Sequence, residues 1–347
     1  MNGGPEQRMA NVRRLIASAN AVYEDRRRFV PAIATATGLT PEGVELGFGY
    51  LERSASDRDL RTLVDGAGQV KRVHVVLSAN VFVAPLRALA LARAAAAVVT
   101  IRPSPRDPIL TRELIERAAD SSIAIVDERD VAAIEADQVH VYGNDETIDA
   151  VRARVRPSCV VRAHGAGIGV AFITRAADAG TASKALAPDV VAFDQRGCLS
   201  PRVVVVEGDD VYAESVASAL YDELESWGRQ VPRGALLPDE RAAARRWLDT
   251  LSFGGRVWSG AHDVVALAPT GAPLMLPPPG RHVCVAAAAS LQEAAAWLAP
   301  AARFVVAIGT DDPTRVAQFV PPHARLSPLG RMQCPPLDGP VDRRERP

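Results

Sequence analysis

The residues best suited to chemistry in this chain surround Cys198, in the segment Asp194-Gln195-Arg196-Gly197-Cys198-Leu199-Ser200-Pro201. The segment leads into the apolar run 203–206, which predicts a strand, so the cysteine is expected at the mouth of that strand. The preceding glycine lets a substrate approach the backbone closely. A thiol placed in this way can attack a carbonyl carbon once it has ionised. A structural cysteine would not need such polar, turn-prone neighbours, and we therefore interpret Cys198 as a candidate nucleophile.

Two further side chains follow predicted strands. The amide of Asn80 can donate to an oxyanion, but the sequence alone favours a role as N-cap of the next helix, because Asn is a preferred cap. His164 can act as an acid or base near neutral pH, although a structural role is the commoner one for a lone histidine. The glycines after His164, at 165, 167 and 169, lack dinucleotide-fingerprint spacing. They favour a crossover with close backbone packing over phosphate binding.

A second group of residues has the chemistry of a nucleotide site. Arg102 and Arg106 flank Ser104 at the end of a predicted strand, where guanidinium groups can bind phosphate or ribose oxygens; the alternative is a solvated surface. Gly143 and Asn144 separate a strand from a helix, and exposed amides at a helix start can hold a phosphate. The acidic residues that follow also suit the helix dipole without any ligand, so both interpretations remain open.

Composition limits the function classes. The chain has 347 residues, 48% of them hydrophobic, and a net charge of -1, which indicates a globular protein of two domains without an electrostatic footprint for nucleic acid. The N-terminus has no apolar signal core, and the Ala-rich segment 84–101 contains two arginines, so no membrane span is expected. Four cysteines without paired spacing predict neither a disulfide framework nor a metal site, and we expect a cytoplasmic location.

The pattern of elements predicts an α/β fold. A helical, polar-faced region with breaks at Pro31, Pro41 and Gly47 precedes short β-rich runs that alternate with helix-like stretches from residue 74 to residue 163. Such alternation predicts a mostly parallel, doubly wound sheet, whose ligands bind beyond the carboxyl ends of the strands. A second α/β unit follows, with strands near 203–206, 282–286 and 304–308 and a helix capped by Asp209 or Asp210. Residues 335–347 are predicted to be irregular or disordered.

The segment around Cys198 resembles the cysteine motif of the acyl-CoA reductases of bacterial bioluminescence, in the aldehyde dehydrogenase superfamily. Four other segments resemble that family in the same order: Ser78-Ala79-Asn80-Val81, Arg102-Pro103-Ser104, Tyr142-Gly143-Asn144-Asp145-Glu146-Thr147, and residues 326–338. The resemblance implies a Rossmann-type nucleotide-binding domain with N-terminal helices over residues 1–165 and a second α/β, catalytic domain over 166–310. A C-terminal return segment and tail would occupy 311–347.

The resemblance also implies a mechanism. The Cys198 thiolate attacks an acyl thioester, and Asn80 with the Cys198 backbone N–H stabilises the oxyanion. A hydride from a nicotinamide cofactor then gives an aldehyde. The two guanidinium groups of Arg102 and Arg106, where an adenosine ribose would lie, predict NADPH in preference to NADH. His164 lies where hydrolytic relatives carry a water-activating Glu. The implied cofactor-binding residues are Arg102, Ser104, Arg106, Gly143 and Asn144. Two features depart from the family pattern: Arg102 replaces a ribose-binding lysine, and no ribose-binding Glu is found near residues 276–280.

The resemblance implies acyl-CoA or an acyl-carrier protein as partner, and a homo-oligomer, with a partner acyl-transfer enzyme as a further association. Two alternative functions stay open. The same cysteine could serve an acyltransferase or thioesterase that binds no nucleotide, or the fold could be a non-catalytic scaffold subunit. Cofactor binding separates the reductase from both alternatives, and covalent acylation of Cys198 separates the acyltransferase from the scaffold.

Overall fold

The computed structural model describes residues 3–127 and 131–344, and helices alternate with strands through most of the chain. The helices are α1 (Pro5–Glu24), α2 (Val30–Thr37), α3 (Pro41–Phe48), α4 (Asp57–Ala67), α5 (Ala84–Ala95), α6 (Ile109–Ala118), α7 (Asp145–Arg152), α8 (Ala179–Val191), α9 (Asp210–Gln230), α10 (Pro238–Leu251), α11 (Leu291–Leu298) and α12 (Pro313–Val316). The strands are β1 (Val70–Val76), β2 (Ala96–Arg102), β3 (Ile123–Ile125), β4 (Gln138–Tyr142), β5 (Val160–His164), β6 (Ile168–Ile173), β7 (Pro201–Glu207), β8 (Arg256–Ser259), β9 (Val264–Leu267), β10 (His282–Ala288), β11 (Val305–Thr310) and β12 (Arg325–Pro328).

The first sheet has the order β3-β2-β1-β4-β5, and all of its strands are parallel. Its apolar side chains are buried on both faces, against α1, α5 and α6 on one side and against α7 on the other. The chain winds outward from β1 in one direction through β2 and β3, and in the other through β4 and β5. This confirms the doubly wound parallel sheet, and it creates a ligand-binding crevice between the carboxyl ends of β1 and β4.

The second sheet has the order β12-β11-β6-β7-β10-β9-β8 and is parallel except for β8. Alternate valines of its central strand β7 pack towards α8 and α9 on one face and towards α11 on the other, so the strand reads as an unbroken apolar run. Asp209 caps α9, as predicted, by accepting from the Tyr212 backbone N–H at 2.9 Å. The chain passes from the first sheet to the second between β5 and β6. The predicted division into domains, with boundaries at 165 and 310, stays a prediction.

The N-terminal helices differ from the predicted breaks. Pro31 and Pro41 lie in the first turns of α2 and α3, where no N–H partner is required, so they begin helices instead of breaking them. Gly47 lies inside α3, and a Cβ there would come within 2.6 Å of the Phe82 ring. The glycine is therefore needed for close packing of α3 and not for a break.

The segment that we call the C-terminal strap, residues 335–344, is irregular as predicted but not disordered. Arg87 donates to three of its backbone carbonyl oxygens at 2.7–2.9 Å. Arg325 donates to the Pro340 carbonyl at 2.6 Å and to the Asp338 carboxylate at 2.7 Å. Hydrogen bonds from two buried arginines thus hold this segment, which has no helix or strand of its own. The rest of the predicted tail, residues 345–347, lies outside the described part of the chain.

The turn that leads to Cys198 has an unusual backbone. Phe193, Asp194 and Gln195, which we call the elbow, have φ angles of 53°, 51° and 59°. Residues with side chains rarely adopt this left-handed conformation, and each instance costs roughly 1–3 kcal/mol. Three in succession persist only where the surroundings hold them.

Buried polar bonds hold the elbow. The Asp194 carboxylate accepts from Arg281 Nε at 2.9 Å and from the Gly234 backbone N–H at 3.0 Å. The Gln195 amide bonds to both the backbone N–H and the carbonyl of His282, at 2.7 and 3.1 Å. The Arg281 side chain is 0% exposed, so this ion pair is fully removed from water. The elbow therefore depends on residues far along the chain, at the start of β10.

Replacing Arg281 by methionine should strongly destabilise the protein. The change leaves the buried Asp194 charge without its cation, which typically costs about 3–5 kcal/mol. Chemical denaturation followed by circular dichroism measures the free energy of unfolding. The control is Arg245→Met, which removes the surface pair with Asp249 and should cost well under about 1 kcal/mol. Equal stabilities of the two variants would contradict this role of Arg281.

Candidate active site

A cavity of about 340 Å³ lies where the carboxyl ends of β1, β4 and β5 face the Cys198 turn and the strap. Five of the residues predicted to act in catalysis or cofactor binding line it together. These are Cys198, Asn80, His164, Gly143 and Asn144. The structure therefore gathers in one place residues that are separated by more than a hundred positions in the sequence.

Cys198 occupies a tight turn between the elbow and β7. The Ser200 backbone N–H donates to the Gly197 carbonyl at 3.2 Å, which places the cysteine in the middle of the turn and at the mouth of the strand, as predicted. A Cβ on Gly197 would lie 3.1 Å from Val81, so the glycine allows the turn to approach the loop after β1. The cysteine is half-buried and free, and it contacts the cavity.

The thiol of Cys198 is protonated at neutral pH in this state of the protein. Burial, followed by the carboxylate of Asp342, raises the pKa of the Cys198 thiol to about 11. Arg344, the cysteine's own backbone N–H and Arg87 lower that pKa but do not offset the increase. A proton acceptor or a change in the surroundings must therefore assist attack by this sulfur.

Asn80 does not cap the helix that follows it. Helix α5 begins at Ala84, and its N-cap is Val83, which makes no side-chain cap bond. The cap interpretation, which the sequence favoured, is therefore wrong: three residues separate Asn80 from the helix. The exposed Asn80 instead lines the cavity across from the Cys198 turn.

His164 ends β5 at the edge of the cavity. Its ring stacks on Tyr142, with centroids 4.4 Å apart and an angle of 15° between the planes. The stacking fixes the orientation of a half-buried imidazole beside the glycines that follow it. The position allows acid–base chemistry, and the stacking alone also gives the residue a structural role.

The glycines after His164 form the crossover between the sheets, which confirms the interpretation from their spacing. Any side chain on Gly169 would collide with the backbone of Leu199 and Ser200, so β6 can pass this close to the Cys198 turn only with glycine there. A Cβ on Gly167 would lie 3.3 Å from the Cys198 Cβ. These glycines thus seat the cysteine against the crossover.

The residues predicted to bind a cofactor fall into separate positions. The Asn144 side-chain oxygen caps α7, accepting from the Thr147 backbone N–H at 2.9 Å and from its hydroxyl at 2.6 Å, so that oxygen is engaged within the protein. Ser104 is buried, and its hydroxyl accepts from the Arg106 backbone N–H at 3.3 Å. Arg102 and Ser104 do not line this cavity or the second cavity described below. Arg106 lines the second cavity only.

A second cavity, of about 450 Å³, lies on the other side of the Cys198 turn. The two cavities share four lining residues: Asn80, Gly167, Arg196 and Gly197. Three arginines and one carboxylate line the second cavity: Arg106, Arg196, Arg202 and Glu240. The first has a large apolar wall: Leu77, Val81, Val83, Leu91, Phe193 and Leu199. The cysteine turn thus separates an apolar space from a basic one.

Several site residues could not be assigned from the sequence. Arg87 interrupts an apolar segment of the sequence and is buried in α5. An arginine in such an apolar helix is a signal that it has a specific partner. The basic character of the second cavity needs Arg202, which had no distinguishing pattern. Asp342 and Arg344 lie in the strap, whose Pro-rich sequence has neither helical nor strand periodicity.

The sequence profile of the acyl-CoA reductase (LuxC) family matches residues 64–337. The chain belongs to this family. The resemblance found from short motifs is thereby confirmed, and this acyl-CoA reductase family member is an oxidoreductase that acts on aldehyde or acyl groups. No protein of curated function matches the sequence.

Solved structures that resemble this reductase have low sequence identity to it, so they show the shared fold, and several of them are named as aldehyde dehydrogenases. An NAD-dependent benzaldehyde dehydrogenase from Corynebacterium glutamicum has 16% identity and a TM-score of 0.68, over 90% of this chain and 78% of the other. PnpE from Pseudomonas sp. WBC-3 has 14% identity and a TM-score of 0.70, over 92% and 76%. An NADP-dependent glyceraldehyde-3-phosphate dehydrogenase from Bacillus halodurans C-125, complexed with NADP, has 14% identity and a TM-score of 0.68, over 92% and 77%.

Within residues 3–127 and 131–344 of the reductase, no cluster of three or more His, Cys, Asp or Glu side chains could hold a metal ion. No helix in these ranges is long and apolar enough to span a membrane. Of the other cysteines, Cys284 is buried in β10 and belongs to the core.

Alkylation of Cys198 by iodoacetamide should accelerate about tenfold per pH unit between about pH 7 and about pH 10, because only the thiolate reacts and its pKa lies above that range. Quantitative mass spectrometry of the Cys198 peptide at each pH measures the rate. Buried Cys284 serves as an internal control that should stay unmodified in the folded protein. A rate that levels off below about pH 9 would show that the thiolate is already stabilised.

Proposed function

We propose that this family member reduces an acyl thioester, acyl-CoA or an acyl-carrier protein, to an aldehyde through a covalent acyl-Cys198 intermediate. The observation that carries the proposal is that Cys198 lines the apolar cavity, in a turn whose Arg196 and Gly197 also line the basic one. An acyl chain is apolar, whereas CoA, a phosphopantetheine arm and a nicotinamide dinucleotide all carry phosphate. The apolar cavity therefore suits the acyl group beside the sulfur, and the adjoining basic cavity suits a phosphate-bearing part of the substrates.

The chemistry follows from the residues around that sulfur. The Cys198 sulfur bonds to the thioester carbonyl carbon, and Asn80 donates to the oxygen as negative charge develops there. The Cys198 backbone N–H is the second donor in this proposal. Collapse of the adduct breaks the bond to the carrier thiol, which takes up a proton and leaves. After reduction, the thiohemiacetal on Cys198 breaks its carbon–sulfur bond and releases the aldehyde, and His164 at the cavity edge is placed to move the proton.

A nicotinamide cofactor fits the first sheet. The crevice between β1 and β4 opens into the cavity beside Ser78, Gly143 and Asn144. A Cβ on Gly143 would lie 3.1 Å from the Thr147 side chain, so glycine lets β4 lead closely into the start of α7 at the edge of the cavity. When bound, the cofactor would supply the hydride for the acyl group. The NAD- and NADP-dependent enzymes that share the fold support this choice of cofactor.

Asn80→Ala should slow acylation of Cys198 by acyl-CoA about 100- to 1000-fold, the usual cost of losing one oxyanion donor. Nucleotide affinity should stay nearly unchanged, because the substitution removes no phosphate contact. Rapid-quench mass spectrometry measures acylation, and calorimetry measures nucleotide binding. Acylation at the wild-type rate would remove Asn80 from the mechanism, and an adduct that persists in Cys198→Ala would remove Cys198.

We further propose that the protein binds NADPH in preference to NADH, because Arg106 binds the 2′-phosphate that only NADPH carries. Arg106 is exposed and lines the basic cavity together with Arg202, whose Nε has no hydrogen-bond partner among the described residues. A charge-assisted bond to a 2′-phosphate contributes about 1.5–3 kcal/mol, and about 1.4 kcal/mol corresponds to a tenfold preference.

Arg106→Ala should therefore reduce the ratio of NADPH to NADH affinity at least about tenfold. Titration calorimetry with both nucleotides gives the ratio, and Arg112→Ala, an exposed arginine on the adjacent helix α6, is the matched control. A preference that survives Arg102→Ala combined with Arg106→Ala would contradict the assignment. If the wild-type protein binds neither nucleotide, the acyltransferase and scaffold functions gain support.

A further inference from the structure

An ion pair from the C-terminal strap lies against the Cys198 turn. Arg344 Nε and Nη2 contact the two carboxylate oxygens of Asp342 at 2.7 and 2.6 Å, and both side chains are at most 6% exposed. Asp342 lines the cavity that contains Cys198. A Cβ on Gly167 would lie 3.3 Å from both Arg344 Nη2 and the Cys198 Cβ. The guanidinium and the cysteine therefore both approach the same side of Gly167.

The pair is anchored to both sheets. Arg344 Nη1 donates to the Arg303 carbonyl at 2.9 Å, close to the start of β11, and Nη2 donates to the Gly165 carbonyl at 3.5 Å, in the crossover after β5. The Arg344 backbone N–H also donates to the Asp342 carboxylate at 3.1 Å. The guanidinium is thus held in one place beside the turn, whereas a surface arginine would sample many positions.

The other charged groups around the cavity are engaged elsewhere. Arg87, on α5, pairs with Glu52 at 2.7 Å and holds the strap. Arg196, two residues before Cys198, donates to the Thr37 carbonyl at 2.8 Å and contacts Glu240 at 3.4 Å.

Three other titratable groups face the cavity: His164 and Tyr142, whose rings stack on each other, and Tyr50 from the loop after α3. After burial, Asp342 is the strongest influence that raises the Cys198 pKa, and Arg344 is the strongest that lowers it.

We propose that Asp342 and Arg344 are positioning residues that set the ionisation of Cys198. Arg344 stabilises the thiolate that forms when the thiol proton passes to water or to a base. Asp342 holds Arg344 beside the turn and opposes the thiolate, so the sulfur stays protonated between turnovers. The proposal rests on the nucleophilic role of Cys198 proposed above, and it assigns to the strap a part in the chemistry of the site.

The test is the pH profile of Cys198 alkylation in matched variants. Asp342→Asn keeps the shape and one acceptor for Arg344 but removes the negative charge, so alkylation near neutral pH should become roughly three- to tenfold faster. Arg344→Gln removes the positive charge and should slow it by a similar factor. The double variant should return close to the wild-type profile. Arg343→Gln is the control, because Arg343 is exposed and pairs with Asp338.

A purely structural strap would give a different result. Loosening it by either substitution would expose Cys198 and accelerate alkylation in both variants, so changes of the same sign would overturn the proposal, as would two unchanged profiles. Should Arg344→Gln fail to fold, Arg344→Lys replaces it. Arg344→Lys keeps the positive charge, so its alkylation profile should match the wild type, whereas alkylation of Asp342→Asn should still be faster. Faster alkylation in both of these variants would refute the assignment.

The same samples separate this inference from the proposed function. Incubation of the wild-type protein with acyl-CoA shows whether Cys198 forms the acyl adduct. Acylation together with unshifted alkylation profiles would overturn the role of the pair and leave the proposed function intact. Alkylation profiles that shift in opposite directions in the two variants, without any acyl adduct, would support the effect of the ion pair on the ionisation of Cys198. The same result would overturn the proposed reaction.

Discussion

The buried ion pair between Arg281 and Asp194 is the interaction on which the site depends most. Charges that are removed from water are costly unless the partner and further hydrogen bonds compensate them. Here Arg281 also donates to the Val231 carbonyl at 2.8 Å, and Asp194 accepts from the Gly234 backbone. The pair joins the end of α9, the loop before α10 and the start of β10 to one strained turn. That turn redirects the chain from α8 into β7 and aims Cys198 at the first sheet.

The position of the cysteine turn determines what the two cavities can do. Each of the two sheets alone would offer strand ends with a few polar groups. Facing each other, they enclose an apolar space and a basic space that meet at Asn80, Gly167 and Gly197. Cys198 lines the apolar space, and the turn that carries it borders the basic one. Reductive chemistry on an acyl group requires such convergence, since the nucleophile, the oxyanion donor and the hydride must reach one atom.

Much of the fold followed from the sequence because buried parallel strands are rich in β-branched residues and alternate with helices. That pattern located the strands of the first sheet and β7, β10 and β11. The pattern did not locate β6, β8, β9 and β12, nor the helix α8. The meeting of Cys198, Asn80 and His164 was predictable from strand ends and motif resemblance. The capping role given to Asn80 was wrong because three more residues of the loop follow Asn80 before α5 begins at Ala84.

The arrangement of the strap has a consequence for biosynthesis. A chain leaves the ribosome from its N-terminus, so the cysteine turn and both sheets up to β11 are available before residues 335–344 have been made. One wall of the cavity and the ion pair beside the sulfur come from those late residues. A molecule that lacked residues 335–344 would lack that wall and that ion pair, and its thiol would be more open to solvent and oxidants. Maturation of the site is coupled to completion of the chain at least as far as Arg344.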